Sequence, residues 1–234
     1  MRSRISRLDG LSLSVVLVTT LLWPTVPFGR WEGAAMSSFV GHALAPLIAY
    51  RATEPEGAPP SRSWPLVLVA LGLAPDVDYL LGGLILPGAR PVRVTHSLLG
   101  SLVLPAAVVL AGMLARRWRR RRLALRGGQA AAAGLSHVAL DLLVGVTPAA
   151  LLWPLSNTTF RLPGGVLPSA GRLDPGNPYL YRNLLLEMGV LLPLLGIVHL
   201  LRSNRSGGRK RALAAGALAA VSLASLLLSA SLSR

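Results

Sequence analysis

The chain has 234 residues, 52% of them hydrophobic and only 14% charged, with a net charge of +15 and no cysteine. A soluble domain carries about 25% charged residues, so this composition excludes an ordinary soluble enzyme and reads as a helical membrane protein. Missing cysteines exclude disulfides and thiolate metal sites. The basic residues bunch behind apolar runs, which positive-inside loops explain without a nucleic-acid partner.

The first apolar run covers residues 11–28, behind Arg2, Arg4 and Arg7. No small-residue cleavage site follows it, so it reads as an uncleaved anchor and not a signal peptide. A start at Met36 is the other reading. The codons for Trp31, Glu32 and Gly33 are purine-rich enough to serve as a ribosome-binding sequence, which would set residues 1–35 outside the native chain. Residues 37–50, containing His42, are too few for a straight crossing and read as a half-helix or a tilted, buried one. The run 64–86 is interrupted at Pro75. Proline disturbs a helix interior but fits the first turn of a new helix. The spacing therefore predicts a break near Ala74, with Asp76 and Asp78 in the first turn beyond it.

The run 97–115 ends at seven arginines that fall between Arg116 and Arg126. Residues 129–153 contain His137 and Asp141, and residues 184–201 contain Glu187 and His199. Residues 212–232 form the last run. The predicted fold is all-α, an integral membrane bundle of six to seven apolar helices with one broken at Pro75. Its parts are an N-terminal apolar segment (1–35), a membrane-embedded domain (36–201), and a basic loop with a final transmembrane helix (202–234). Charge places the N-terminus and the loops 51–63, 116–126 and 202–211 in the cytoplasm. The turn 87–95, the loop 154–182 and the C-terminus then face outward. That Pro- and Gly-rich 154–182 loop is long enough to cap a site at the outer helix ends.

Six ionisable residues stand in or beside these runs, where such groups are costly and usually functional. His137 and Asp141 are four apart, so a helix puts them on one face. They read either as a two-ligand platform for a metal or as a hydrogen-bonded pair tying helices together. Asp76 and Asp78 would lie at the positive end of a half-helix. Capping accounts for one carboxylate and leaves the second unexplained. His96, between Thr95 and Ser97, and His42, after Gly41, read by themselves as structural histidines. Together the three His and three Asp are the chemistry of a divalent-metal site. Glu187 and His199 are left out of this set, His199 because the basic loop beside it gives it water. Trp64, Trp118 and Trp153 lie at run ends as interfacial anchors.

The order of these motifs resembles a known family. His42 follows Met36 closely. Then come Pro75-Asp-Val-Asp78, Thr95-His-Ser97 and Ser136-His-Val-Ala-Leu-Asp141, followed by Leu152-Trp-Pro-Leu-Ser156. Over residues 36–156 the pattern resembles the bacterial inner-membrane metal-dependent hydrolases, also described as LexA-binding, which are distantly similar to the zinc-dependent phospholipase C and nuclease fold. The resemblance implies a multi-pass protein of the inner membrane. It implies a divalent metal, zinc above others, held by His42, Asp76, Asp78, His96, His137 and Asp141. It also implies hydrolysis of an ester or phosphoester, and the place of the site at or within the bilayer points to a lipid-derived substrate, with membrane lipids as partners.

In such a site the metal lowers the pKa of its water to about 7. Asp76, Asp78 and Asp141 divide ligand and acid–base duty, and Arg93 or Arg90 holds a phosphate oxygen. The family commonly carries His-Arg-Gly before the Thr-His-Ser motif. This chain has Pro91-Val92-Arg93 there and lacks the histidine. Two other readings use the same residues: a non-catalytic scaffold with a structural metal site, and an ion-coupled carrier with acids at a broken helix.

Overall fold

Ser38 starts the first helix of the computed structural model, its side chain accepting a hydrogen bond from the Gly41 N–H at 3.1 Å, as an N-cap serine does. The structure describes residues 38–57, 61–77, 94–115, 118, 120–145, 148–162, 165–168, 176–203 and 208–232. Among them are six α-helices: α1 (Phe39–Thr53), α2 (Trp64–Leu73), α3 (Gly100–Leu114), α4 (Arg120–Val144), α5 (Pro178–Leu201) and α6 (Gly208–Leu232). The described residues form no strand, only an isolated antiparallel bridge between Ala149 and Phe160. The all-helical expectation therefore holds. The N-terminal run, residues 78–93 and the proposed start at Met36 lie outside the described residues.

The helix break predicted at Pro75 is present. α2 stops at Leu73, and Ala74–Asp76 continue as a single 3-10 turn. Other expectations need correction. Among the described residues only α5 and α6 are both long and apolar enough to cross a membrane, while Trp64–Asp76 and α3 are shorter apolar helices. Of the expected bundle of six to seven apolar helices, the described residues establish two clear spans. The run expected at 129–153 is shifted toward the N-terminus: α4 begins at Arg120, inside the arginine cluster read as a loop, and ends at Val144. Arginine is a good helix former, which lets the helix start early. Gly145 ends it with φ +66 and an N–H bonded to Asp141 O at 3.0 Å, the left-handed stop that glycine permits. The 154–182 loop is also shorter than expected. Asn177 caps α5, with Pro178 in its first turn.

Two apolar clusters hold the helices together. Val40, Leu44, Leu140, Val144 and Val190 join α1, α4 and α5. Tyr50, Trp64, Leu68, Ala130 and Ala133 join α1, α2 and α4. Between helices, two glycines permit approaches that a side chain would block. A Cβ on Gly72 would lie 2.5 Å from His42 O, so α1 and α2 touch backbone to backbone beside His42. A Cβ on Gly134 would meet Ser101 O and lie 2.9 Å from Pro105 Cγ, which seats α4 against the start of α3.

The far ends of α1, α2, α4 and α5 are tied by polar contacts. Arg126 grips Glu54 through two bonds of 2.9 and 3.1 Å. Gln129 accepts from Trp64 Nε1 at 2.7 Å and donates to Thr53 at 2.9 Å. Arg202 donates to the Glu54 carbonyl, and Arg51 contacts His199. His199 is thus occupied by the basic end and stands apart from the other histidines.

The two glycine environments of α4 make a paired test. Nothing lies within 4 Å of a Cβ placed on Gly128, whereas Gly134 is walled by backbone. Gly128→Ala should be neutral or stabilising by about 1 kcal/mol. Gly134→Ala should destabilise by about 1–3 kcal/mol, because overpacking outweighs the gain in helix propensity. Thermal unfolding in detergent measures both. Equal Tm changes would show that α3 and α4 do not meet at Gly134.

Candidate metal centre

Four separate segments bring five ionisable side chains to one point, at the end of the bundle away from the Arg126 contacts. α1 contributes His42, and the turn after α2 contributes Asp76. The turn before α3 contributes His96, and α4 contributes His137 and Asp141. All five are buried, with exposures of 0% to 8%. The helical i, i+4 spacing of His137 and Asp141 puts both on the inner face of α4, as their sequence separation predicts.

The rings are oriented by backbone and hydroxyl groups. His137 Nδ1 donates to Gly72 O at 2.7 Å, because a carbonyl can only accept. Thr95 Oγ1 donates to Pro75 O at 2.9 Å and so turns a lone pair to His96 Nδ1, 3.0 Å away. Both histidines therefore carry their proton on Nδ1 and direct an Nε2 lone pair inward. Those two Nε2 atoms are 3.1 Å apart. Two lone pairs at that distance repel unless a cation, either a metal ion or a proton shared as a hydrogen bond, lies against them.

The carboxylates complete the arrangement. Asp141 Oδ2 is 3.4 Å from His96 Nε2 and 3.6 Å from His137 Nε2. Asp76 Oδ1 is 3.6 and 3.5 Å from the same two nitrogens. Metal–ligand bonds of 2.0–2.2 Å in tetrahedral array separate neighbouring ligand atoms by roughly 3.3–3.5 Å, which these distances bracket. His42 stacks on His137 with ring centroids 3.7 Å apart, and its Nε2 is 3.4 Å from Asp141 Oδ1. Neither His42 nitrogen nor Asp76 Oδ1 has a hydrogen-bond partner. A buried polar atom left so costs about 1–3 kcal/mol, and coordination to an ion would satisfy Asp76 Oδ1 and the one His42 nitrogen that carries a lone pair. Two triads, His42/Asp76/His137 and His96/His137/Asp141, each have ligand atoms within 4.8 Å of one another. The residues fit a metal ion by donor type, spacing and orphaned acceptors.

Of the six ligands implied by the resemblance, the structure thus brings five together. Asp78, Arg90 and Arg93 lie outside the described residues. Glu187 was passed over in the sequence. It is 1% exposed on α5 and accepts from Ser38 N–H at 3.2 Å, fixing the turn that carries His42. The signal was available, since an acid in the middle of an apolar run is costly wherever it falls.

The family described as YdjM inner membrane protein matches residues 36–229, and the chain belongs to it. That places the protein in the inner membrane, in keeping with the two spanning helices. Comparisons with curated proteins and with solved structures found no match.

The hydroxyl of Thr95 is the readiest test of this geometry. Thr95→Val removes the acceptor that fixes the His96 tautomer. It should lower zinc affinity roughly 10- to 100-fold, as outer contacts to metal-bound histidines do. Competition against a chromogenic chelator reads this directly. An unchanged affinity would show that the Thr95 bond does not set the ring.

Proposed function

We propose that this member of the YdjM family is a membrane-embedded metal-dependent hydrolase acting on an ester or phosphoester, with His42, Asp76, His96, His137 and Asp141 as the ligand set and zinc as the metal. One observation carries the reading: two inward-facing imidazole lone pairs 3.1 Å apart, flanked by two buried carboxylates. A divalent ion in this site supplies a Lewis acid and an acidified water.

The chain's own residues do the rest. Gly72 O and Thr95 hold the two imidazoles to one tautomer, so they enter as neutral donors and are not protonated in competition. Asp76 and Asp141 would offset the charge of such an ion, and their carboxylates are the groups at the cluster that would take a proton from an attacking water. Glu187, through Ser38 N–H, keeps the start of α1 and with it His42 in register. Burial of every ligand excludes bulk water, which strengthens each of these charge interactions.

The same burial favours a second reading, a closed structural metal site in a non-catalytic scaffold, since structural zinc sites keep no open position. Two measurements separate the readings. Elemental analysis of detergent-purified protein should find about one or more zinc-like ions per chain, lost in the His137→Ala/Asp141→Ala double variant. A folded wild type without metal would sink both readings. With metal established, Asp141→Asn should abolish phosphoester turnover while the fold is kept. Wild-type rates in that variant would remove Asp141 from the mechanism, and metal without any turnover would leave the scaffold.

A further inference from the structure

The two ends of the bundle differ in charge. Helix packing and the polar contacts above put the C-termini of α1, α3 and α5 at the same end as the N-termini of α2, α4 and α6. That end carries Arg51, Arg62, Arg120, Arg121, Arg122, Arg126, Arg202, Arg209, Lys210 and Arg211. Among the described residues the other end carries only Arg161 and Arg182. Positive charge is retained on the cytoplasmic side of the inner membrane, so the basic end is the cytoplasmic one.

The ligand cluster belongs to the opposite end. From Arg126 to His137 along α4 is a rise of roughly 16 Å, and from Arg202 back to Glu187 along α5 roughly 22 Å, at 1.5 Å per residue. The hydrocarbon core is about 30 Å thick. His42, nine residues before Arg51 on α1, lies roughly 14 Å from that end, so the cluster straddles the middle of such a core, with Asp141 and Glu187 on the outer side of it.

A pocket of about 240 Å³ adjoins the cluster there, lined by Leu71, Pro75, Val94, Thr95, Leu104 and Pro105 among others. Thr95, which is bonded to His96 and to Pro75 O, is one of its few polar walls. The outer rim is apolar and faces away from the protein: Val103 is 60% exposed and Leu104 50%. Ligand sites for compact drug-sized molecules run roughly 300–1,000 Å³. This one is smaller, and the exposed apolar side chains of Val103 and Leu104 stand at its edge.

We propose that the centre takes an amphiphile from the outer leaflet, with the substrate's apolar chain in this pocket and its ester or phosphoester group at the ligand cluster. The proposal rests on the hydrolase reading for its chemistry, but its two structural claims stand on the charge asymmetry and the pocket.

The native sequence has no cysteine, so single-cysteine variants report location without background. Asn157→Cys, in the loop beyond α4, should react with a membrane-impermeant maleimide in cells with a permeabilised outer membrane. Glu56→Cys, between α1 and α2, should react only after the inner membrane is opened. The reverse pattern overturns the outer-leaflet assignment. For the pocket, the probe is a long-chain phospholipid with a photoactivatable acyl chain, incorporated in vesicles with the full-length protein. Crosslinks should map to residues 94–105 and be lost in Leu104→Trp but kept in Leu110→Trp, which lies farther along α3. Crosslinking indifferent to Leu104→Trp overturns the pocket assignment, provided metal content shows the centre intact.

Turnover then separates this proposal from the reading beneath it. Leu104→Trp should keep its rate on para-nitrophenyl phosphate and lose long-chain turnover by about tenfold for every two methylenes displaced. Equal losses on both substrates overturn the proposal. A Leu104-dependent crosslink with no turnover of either substrate removes the hydrolase reading and leaves the chain-binding pocket standing.

Discussion

Lone pairs facing one another are the constraint on which this structure turns. His96 and His137 each spend their ring proton on a fixed acceptor, one on the Thr95 hydroxyl and one on Gly72 O. Their remaining nitrogens then meet at 3.1 Å. Surrounding them with two carboxylates in a buried setting adds negative charge where apolar packing offers no compensation. Uncompensated charges there cost several kcal/mol each. Much of the local architecture reads as support for that junction. The 3-10 turn at Pro75 swings Asp76 inward. Gly72 and Gly134 let α1, α2, α3 and α4 come within backbone contact beside the histidines. Gly145 stops α4 one turn past Asp141.

The opposite end solves a different problem. Arg126 is 8% exposed, and its charge is matched by the Glu54 carboxylate, the Gln129 carbonyl and the faces of Trp64 and Tyr50 at 5.2 and 5.9 Å. Here the pairing is complete within the protein, so no outside ion is called for. The contrast between a satisfied ionic lock and an unsatisfied cluster of acceptors, at the two ends of the same helices, separates scaffold from site without reference to any relative.

Much of this was legible in the sequence because the expensive residues stand out against an apolar background. Asp76, His137 and Asp141 stand out by burial cost, His42 and His96 only in their company, and Pro75 marks where α2 gives way to the 3-10 turn. Glu187 obeyed the same rule and was discarded for want of a neighbouring motif; its partner, Ser38 N–H, is 149 residues away along the chain. Helix extents were less readable. Arginine has high helix propensity, so α4 runs into a cluster that hydropathy alone marks as loop. The second tie was also invisible: nothing local in the sequence says that Gln129 accepts from Trp64, 65 residues earlier. Hydropathy finds apolar runs but cannot tell a buried core helix from a crossing one, and of the six to seven apolar helices expected the described residues give two clear spans.

The ligands' distribution over four segments has a consequence for biogenesis. Only His137 and Asp141 are close in sequence, and two side chains on one helix are a weak ion trap. The remaining donors arrive when α1, the turn after α2 and the turn before α3 dock onto α4. α4 is completed during synthesis after the others, and α5, with Glu187, later still. The full donor set therefore exists only late in assembly, and a chain halted with fewer helices docked has at most the His137–Asp141 pair.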